Sequence, residues 1–119
     1  MGKENVINAV INGTSYPIEL ADNTLCGSLK KLLPFELTMS RSADHEYYAA
    51  LPETPETGNA VLTSKVKSGG VYYFKAWNAL ALNFRDMDIS PYQVYEVGAS
   101  ERIAEILENS GSSLKIKFE

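Results

Sequence analysis

Residues 68–84, SGGVYYFKAWNALALNF, decide the fold, because they can be read as one amphipathic helix or as two strands. Apolar residues at 73, 77, 80 and 84 follow the spacing of one helix face. Residues 71–74 are β-branched and aromatic, the preceding glycines make a poor helix start, and 79–84 alternate small and large side chains. We therefore predict a hairpin, with Trp77, the only tryptophan of the chain, in the connection.

The rest of the chain predicts further short strands and two short helices. Asn12-Gly13 between two β-rich runs is a strong hairpin signal, since both residues tolerate positive φ. Asp22 or Asn23 can cap a helix at about 23–32, and Ser100 can cap another at about 101–109. About eight strands with regular turns predict a mainly β protein formed by a single domain, 1–119, either a closed barrel or a sandwich, and a closed barrel would leave no edge strands.

Composition and charge exclude several classes of partner. The chain has 119 residues, of which 22% are charged, and its net charge is −4 without a basic patch, so nucleic acid is not an expected partner. No apolar run approaches the roughly 20 residues that cross a bilayer, so we expect no membrane partner. The single cysteine, Cys26, excludes an internal disulfide and fits a reducing, cytoplasmic location.

The sequence predicts no metal, cofactor or catalytic residue. One histidine and one cysteine far apart do not make a zinc site, and Asp86 and Asp88 lack the other ligands of a calcium loop. Cys26 is expected to be an ordinary half-buried thiol. His45 and Glu46 should point to opposite faces of a strand, which places His45 at the surface or at a rim.

Several short motifs, in this order and spacing, carry a resemblance: INGTSYPIELADNT, a helix that ends in LLP, EYYAALP, GGVYYFKAWNALALNF and a final strand that ends in IKFE. The chain resembles the cyclophilin-like barrel proteins of bacteria and archaea, a family distinct from the prolyl-isomerase cyclophilins, from about residue 6 to 119. The resemblance implies an eight-stranded barrel capped by helices. The Phe-His-Arg and Gln-Gly-Gly-Asp-Phe motifs of the isomerases are absent, so it implies no catalytic residue.

The aromatic residues suggest a binding surface, because a tryptophan at a loop tip among tyrosines offers apolar ring surfaces together with N–H and O–H groups that can form hydrogen bonds. In each Tyr-Tyr pair one ring should face the core and the other should face outward. We expect a groove on the barrel wall, rimmed by residues 52–59, that binds an extended peptide or a small molecule. The candidate binding residues are Tyr47, Tyr48, Tyr72, Trp77, Arg41 and Arg85.

Two alternatives remain at this point. One is a prolyl isomerase in which Arg41 or Arg85 stabilises the twisted amide. The other is a homodimer that associates through the same aromatic surface, so both a monomer and a homodimer are compatible with the sequence.

Overall fold

The computed structural model describes residues 5–42 and 44–119, and in this part of the chain eight antiparallel strands close into a barrel. The order around the barrel is β2-β1-β11-β3-β4-β8-β7-β10, and β10 pairs again with β2. This confirms the predicted fold class. The barrel strands are β1 (Val6–Ile11), β2 (Thr14–Leu20), β3 (Phe35–Ser42), β4 (Glu46–Ala50), β7 (Gly70–Phe74), β8 (Ala79–Asn83), β10 (Val94–Ala99) and β11 (Ser113–Phe118).

Residues 68–84 contain a hairpin, as predicted. β7 and β8 are joined by a single 3₁₀ turn, Lys75–Trp77, and by Asn78 in the left-handed conformation with φ of 50°. Asparagine tolerates this backbone better than most residues, and the Tyr73 hydroxyl donates to its Oδ1 at 2.7 Å. The turn therefore leaves Trp77 outside the barrel, beside Ala79, the first residue of β8.

The barrel interior is a continuous apolar core. Its largest fully buried side chains include Tyr47, Tyr73, Met39, Leu82, Ile116 and Phe118. Tyr47 points into this core, whereas its neighbour Tyr48 lies on the outer face and is half-buried, as expected from strand alternation. Outward-facing residues of β8 are small, and this leaves room on the outer wall.

Two helices accompany the barrel in the described residues, α1 (Thr24–Leu32) and α2 (Ile103–Glu108). Asn23 caps α1 as predicted, accepting from the Cys26 backbone N–H at 2.9 Å. The Cys26 thiol is buried, which raises its pKa, and it donates to the Val97 carbonyl. No helix in residues 5–42 or 44–119 is long and apolar enough to cross a bilayer.

The predicted cap of the second helix is wrong. Ser100 continues the β-ladder instead, since its backbone N–H donates to the Gly69 carbonyl at 2.8 Å, and α2 starts only at Ile103. Hydrogen bonding to Gly69, the residue before β7, therefore delays the start of the helix by two residues relative to the capping signal.

The barrel closes along a narrow seam between β2 and β10. Two residue pairs form it, Leu20 with Gly98 and Glu19 with Ala99. A side chain at Gly98 would overlap the Glu19 carbonyl oxygen, so glycine permits the close approach of the two backbones.

Pro17 lies on the part of β2 that precedes this seam. It is opposite Asn8, whose backbone N–H and C=O both bond to Glu119, the residue after β11. Because the backbone polar groups of such a non-bonded pair point away from each other, the Pro17 nitrogen faces the open side of β2. A strand tolerates proline at such a position, because no backbone N–H is needed there.

A small outer layer covers one part of the barrel wall. It contains β5 (Leu62–Thr63), which pairs with β10, and a two-stranded ribbon of β6 (Lys65–Val66) and β9 (Met87–Asp88). Beneath it, Val66, Tyr72 and Val94 form a second buried cluster, with Phe74 and Ile89 packed against it. This layer and the outward face of β8 together bound a depression.

Candidate functional site

The depression is a pocket of about 290 Å³ on the outer wall of the barrel. Ala79 and Ala81 of β8 form its floor. They face outward because Leu80 and Leu82 fill the core, and their small size creates the depth. The remaining lining residues are His45, Glu46, Tyr48, Phe74, Trp77, Ile89, Tyr92 and Val94.

Four aromatic residues, which we call the aromatic wall, enclose one end of the pocket: Tyr48, Phe74, Trp77 and Tyr92. The Trp77 ring centre lies 5.1 Å from that of Phe74, edge to face, and 6.1 Å from that of Tyr48. Tyr92 meets Phe74 at 6.4 Å. Trp77 is nevertheless 65% exposed and Tyr92 64% exposed, so much of this apolar surface remains open to a ligand.

The other end of the pocket is polar and is formed by His45 and Glu46. The His45 Nε2 lies 3.7 Å from the Glu46 Oε1, and their side chains are only 8% and 26% exposed. Burial raises the pKa of the Glu46 carboxyl, and the charge of His45 opposes that shift. The pocket therefore joins an apolar, aromatic end to a partly desolvated carboxylate.

Asn83 lies beside this polar end, on the strand next to that of Glu46 and directly opposite it in the β4–β8 register. Its side chain is fully buried, and neither amide atom has a hydrogen-bond partner among the described residues. A buried amide left in this state costs about 1–3 kcal/mol. Such a residue requires an explanation beyond packing.

Comparison with known proteins places the chain within one family. The Cyclophilin-like family matches residues 9–119. The chain belongs to the cyclophilin-like family. No curated protein matches this cyclophilin-like chain.

Two solved structures share the cyclophilin-like fold. The solution structure of the hypothetical protein AF2241 from Archaeoglobus fulgidus is similar at a TM-score of 0.72 and 21% identity, over 100% of this chain and 96% of that one. The structure of McbB in complex with tryptophan is similar at a TM-score of 0.68 and 12% identity, over 95% of this chain but 44% of that one. At these identities, both likenesses concern the fold alone.

Of the residues proposed from sequence, Tyr48 and Trp77 line the pocket of the cyclophilin-like barrel. Tyr72 lies beside the pocket in the small outer cluster, where its hydroxyl accepts from the Lys67 backbone N–H at 3.0 Å. Burial raises the pKa of Tyr72. Tyr47 is inside the barrel and its hydroxyl donates to the Gly111 carbonyl.

The two candidate arginines are held against α2 rather than in the pocket. The Arg41 Nη1 donates to the carbonyls of Leu107 at 3.1 Å and Ser110 at 3.0 Å. Arg85 pairs with Asp44 at 2.9 Å and with Glu108 at 2.8 Å. Both arginines therefore bind the helix to the barrel strands and turns beside it.

The loop expected to rim the groove lies elsewhere. Residues 52–59 contribute nothing to the pocket lining, and the Asn59 side chain accepts from the Thr24 backbone N–H at the start of α1. Within residues 5–42 and 44–119, no group of three or more His, Cys, Asp or Glu side chains could hold a metal ion.

The expected placement of His45 is wrong. Strand alternation does not hold for His45 and Glu46, because β4 begins at Glu46 and His45 belongs to the preceding turn, in which Asp44 has φ of 57°. The turn rotates His45 into the pocket beside Glu46, and its side chain is buried. A left-handed residue just before a strand leaves no trace in the hydrophobic pattern, so this pair could not be predicted from the sequence.

Proposed function

We propose that this cyclophilin-like domain binds a small molecule with a flat, apolar body in the outer-wall pocket. The observation that carries this proposal is the position of Trp77, which stands over a floor of two alanines and packs edge to face against Phe74. The pocket volume of about 290 Å³ is close to the lower end of the range for small-molecule sites, about 300–1,000 Å³. An aromatic ring fits between such a wall and floor by stacking and burial.

The neighbours of β8 favour a small molecule over an extended peptide. β8 pairs with β4 on one side and with β7 on the other, so its backbone groups are occupied by the barrel. A peptide that binds by strand addition needs an open edge at the site, and the pocket floor offers none.

The isomerase alternative is not favoured by the positions of the arginines. Among the described residues no arginine lines the pocket, and Arg41 and Arg85 are engaged with α2. We therefore propose ligand binding rather than amide isomerisation for this pocket.

The experiment is a titration of the protein with indole, tryptophan and tryptamine, followed by calorimetry and by the indole N–H resonance of Trp77 in isotopically labelled protein. Tryptophan is included because McbB, a protein of the same fold, was solved with it. We expect at least one compound to bind and to shift the Trp77 resonance. The variant Ala81→Leu fills the floor and should abolish binding, whereas Thr38→Leu, which adds the same side chain to an exposed position of β3, should not.

Three outcomes would overturn the proposal. The first is absence of heat and of a shift of the Trp77 resonance for every compound at millimolar concentration. The second is equal binding by Ala81→Leu and the wild type. The third is a homodimer in sedimentation that dissociates in Trp77→Ser, because the aromatic wall would then be an interface between copies of the chain.

A further inference from the structure

We infer that the ligand of this pocket carries a positively charged amine, which binds the Glu46 carboxylate while its apolar body lies against the aromatic wall. This inference rests on the proposed function and specifies its ligand as a short aromatic amine. It follows from four features of the pocket: the spacing of its two ends, its charges, its aromatic surfaces and the unpartnered amide of Asn83.

The spacing of the two ends sets the size of the ligand. Glu46 and Tyr48 both face outward from β4 and are two residues apart, so their backbones are separated by about 7 Å. Tyr48 in turn contacts Trp77. A ring held by these two residues therefore reaches Glu46 through a linker of a few atoms, as in an arylalkylamine.

The charges of the pocket favour a cation. Glu46 is the carboxylate of the lining, and within residues 5–42 and 44–119 no lysine or arginine lines the pocket. A carboxylate largely withdrawn from water is stabilised by an opposite charge nearby and destabilised by a like charge. A ligand ammonium would offset the desolvation of Glu46, whereas a ligand carboxylate would be repelled by it.

His45 is the titratable group in contact with Glu46. Its Nε2 lies 3.7 Å from Oε1, so it holds one side of the carboxylate and fixes the orientation of the group. In this arrangement His45 is a positioning residue, and the carboxylate itself is the binding group.

The aromatic wall favours a cation as well. The faces of tryptophan and tyrosine rings attract ammonium groups, most strongly where water is partly excluded. Tyr48 lies between Glu46 and Trp77 along the pocket, so an amine at Glu46 also lies near the Tyr48 ring, whose face can attract it.

Asn83 provides the independent observation. It is opposite Glu46 on the adjacent strand, and the Cβ atoms of such a pair are about 5 Å apart on one face of the sheet. Its Oδ1 accepts no hydrogen bond from the described residues. An amine at Glu46 has three donors, and the Asn83 carbonyl, buried beside Glu46 and not itself part of the lining, is an acceptor without a partner among the described residues.

The test compares three ligands that share one ring and differ in charge: tryptamine, 3-ethylindole and indole-3-propionate. Calorimetry at about neutral pH should give tryptamine an affinity about tenfold or more above that of 3-ethylindole, as for one charge-assisted hydrogen bond, with indole-3-propionate weakest. Glu46→Gln should lower the affinity for tryptamine by about tenfold and leave that for 3-ethylindole within about twofold. Glu36→Gln, which removes the same charge from an exposed position of β3, is the matched control and should change neither.

The outcomes separate the two proposals. If 3-ethylindole binds as tightly as tryptamine, or if Glu46→Gln binds tryptamine like the wild type, the amine is not recognised and the inference is overturned while ligand binding stands. If none of the three compounds binds, the proposed function fails together with the inference. Circular dichroism of each variant shows whether a lost affinity reflects a lost fold.

Discussion

The Arg41 guanidinium lies over the ring of Phe84, with 4.4 Å between its central carbon and the ring centre. From this position its Nη1 donates to the carbonyls of Leu107 and Ser110, at the end of α2. Helix ends leave carbonyls without intrahelical partners, and a cation there also opposes the helix dipole. The Arg41 side chain thus connects β3, the residue after β8 and the C-terminal end of α2.

Replacing Arg41 by lysine should destabilise the protein, because an ammonium cannot stack on Phe84 and reach several carbonyls at once. Urea denaturation measures this as a lower free energy of unfolding. Arg85→Lys is the control and should lose less stability, since Arg85 is 45% exposed and water screens its ion pairs with Asp44 and Glu108. Equal losses in the two variants would contradict the role assigned to Arg41.

Asn83→Leu should leave the free energy of unfolding unchanged or raise it by about 1 kcal/mol. Leucine has a similar shape, and it removes a buried amide that has no partner among the described residues. The comparison is Asn78→Leu, which should lose stability because Asn78 accepts from Tyr73 and has a left-handed backbone. A clear loss of stability in Asn83→Leu would mean that the amide is satisfied in the unliganded protein.

Glu46→Gln should stabilise the protein at neutral pH and have little effect near pH 4. Burial raises the pKa of Glu46 in the folded state, so the folded protein holds this proton more tightly than the unfolded chain does. Stability from Glu46 is therefore complete below its unfolded pKa of about 4.3 and is lost as the pH rises through the folded value. Glutamine stays neutral and escapes that loss.

The measurement is the difference in melting temperature between Glu46→Gln and the wild type at several pH values. The difference should grow from about pH 4 towards neutrality, and Glu36→Gln, at an exposed site, should show no such growth. A difference that shrinks with pH would reverse the sign and indicate that His45 stabilises the ionised carboxylate more than burial destabilises it.

Gly98→Ala should lower the free energy of unfolding by about 1–3 kcal/mol, because the new methyl group would overlap the Glu19 carbonyl oxygen at the seam. Hydrogen exchange should also become faster at the Ala21 amide, which donates to Val97 beside the seam. Gly111→Ala is the control, since a side chain there meets open space. Equal stability of both variants would show that the seam can widen freely.

The sequence predicts the barrel because the signals for its hairpins each lie within a short stretch of the chain. Asn12-Gly13 sets one hairpin, and the β-branched and aromatic run before Trp77 excludes the helix that the spacing of 73, 77, 80 and 84 would allow. Alternation also separates Tyr47 from Tyr48 correctly, since both belong to one regular strand.

The pocket is harder to predict because four of its ten lining residues lie outside the strands. Ile89 and Tyr92 reach it from the chain between β9 and β10, where no periodicity marks a direction. β6 and β9 have two residues each, which is too short for a pattern. The arginines were proposed from charge alone, and only the folded chain reveals that carbonyls of α2 are their partners.

The orientation of Pro17 has a consequence for how the molecule behaves in a crowded solution. The stretch of β2 before the seam lacks a strand partner on one side within the described residues, and such an edge can recruit a strand from another molecule. Pro17 offers no N–H on that side and its ring obstructs an approaching backbone. Pro17, which removes one hydrogen-bond donor from β2, thereby opposes the pairing of this edge with strands of other copies of the protein.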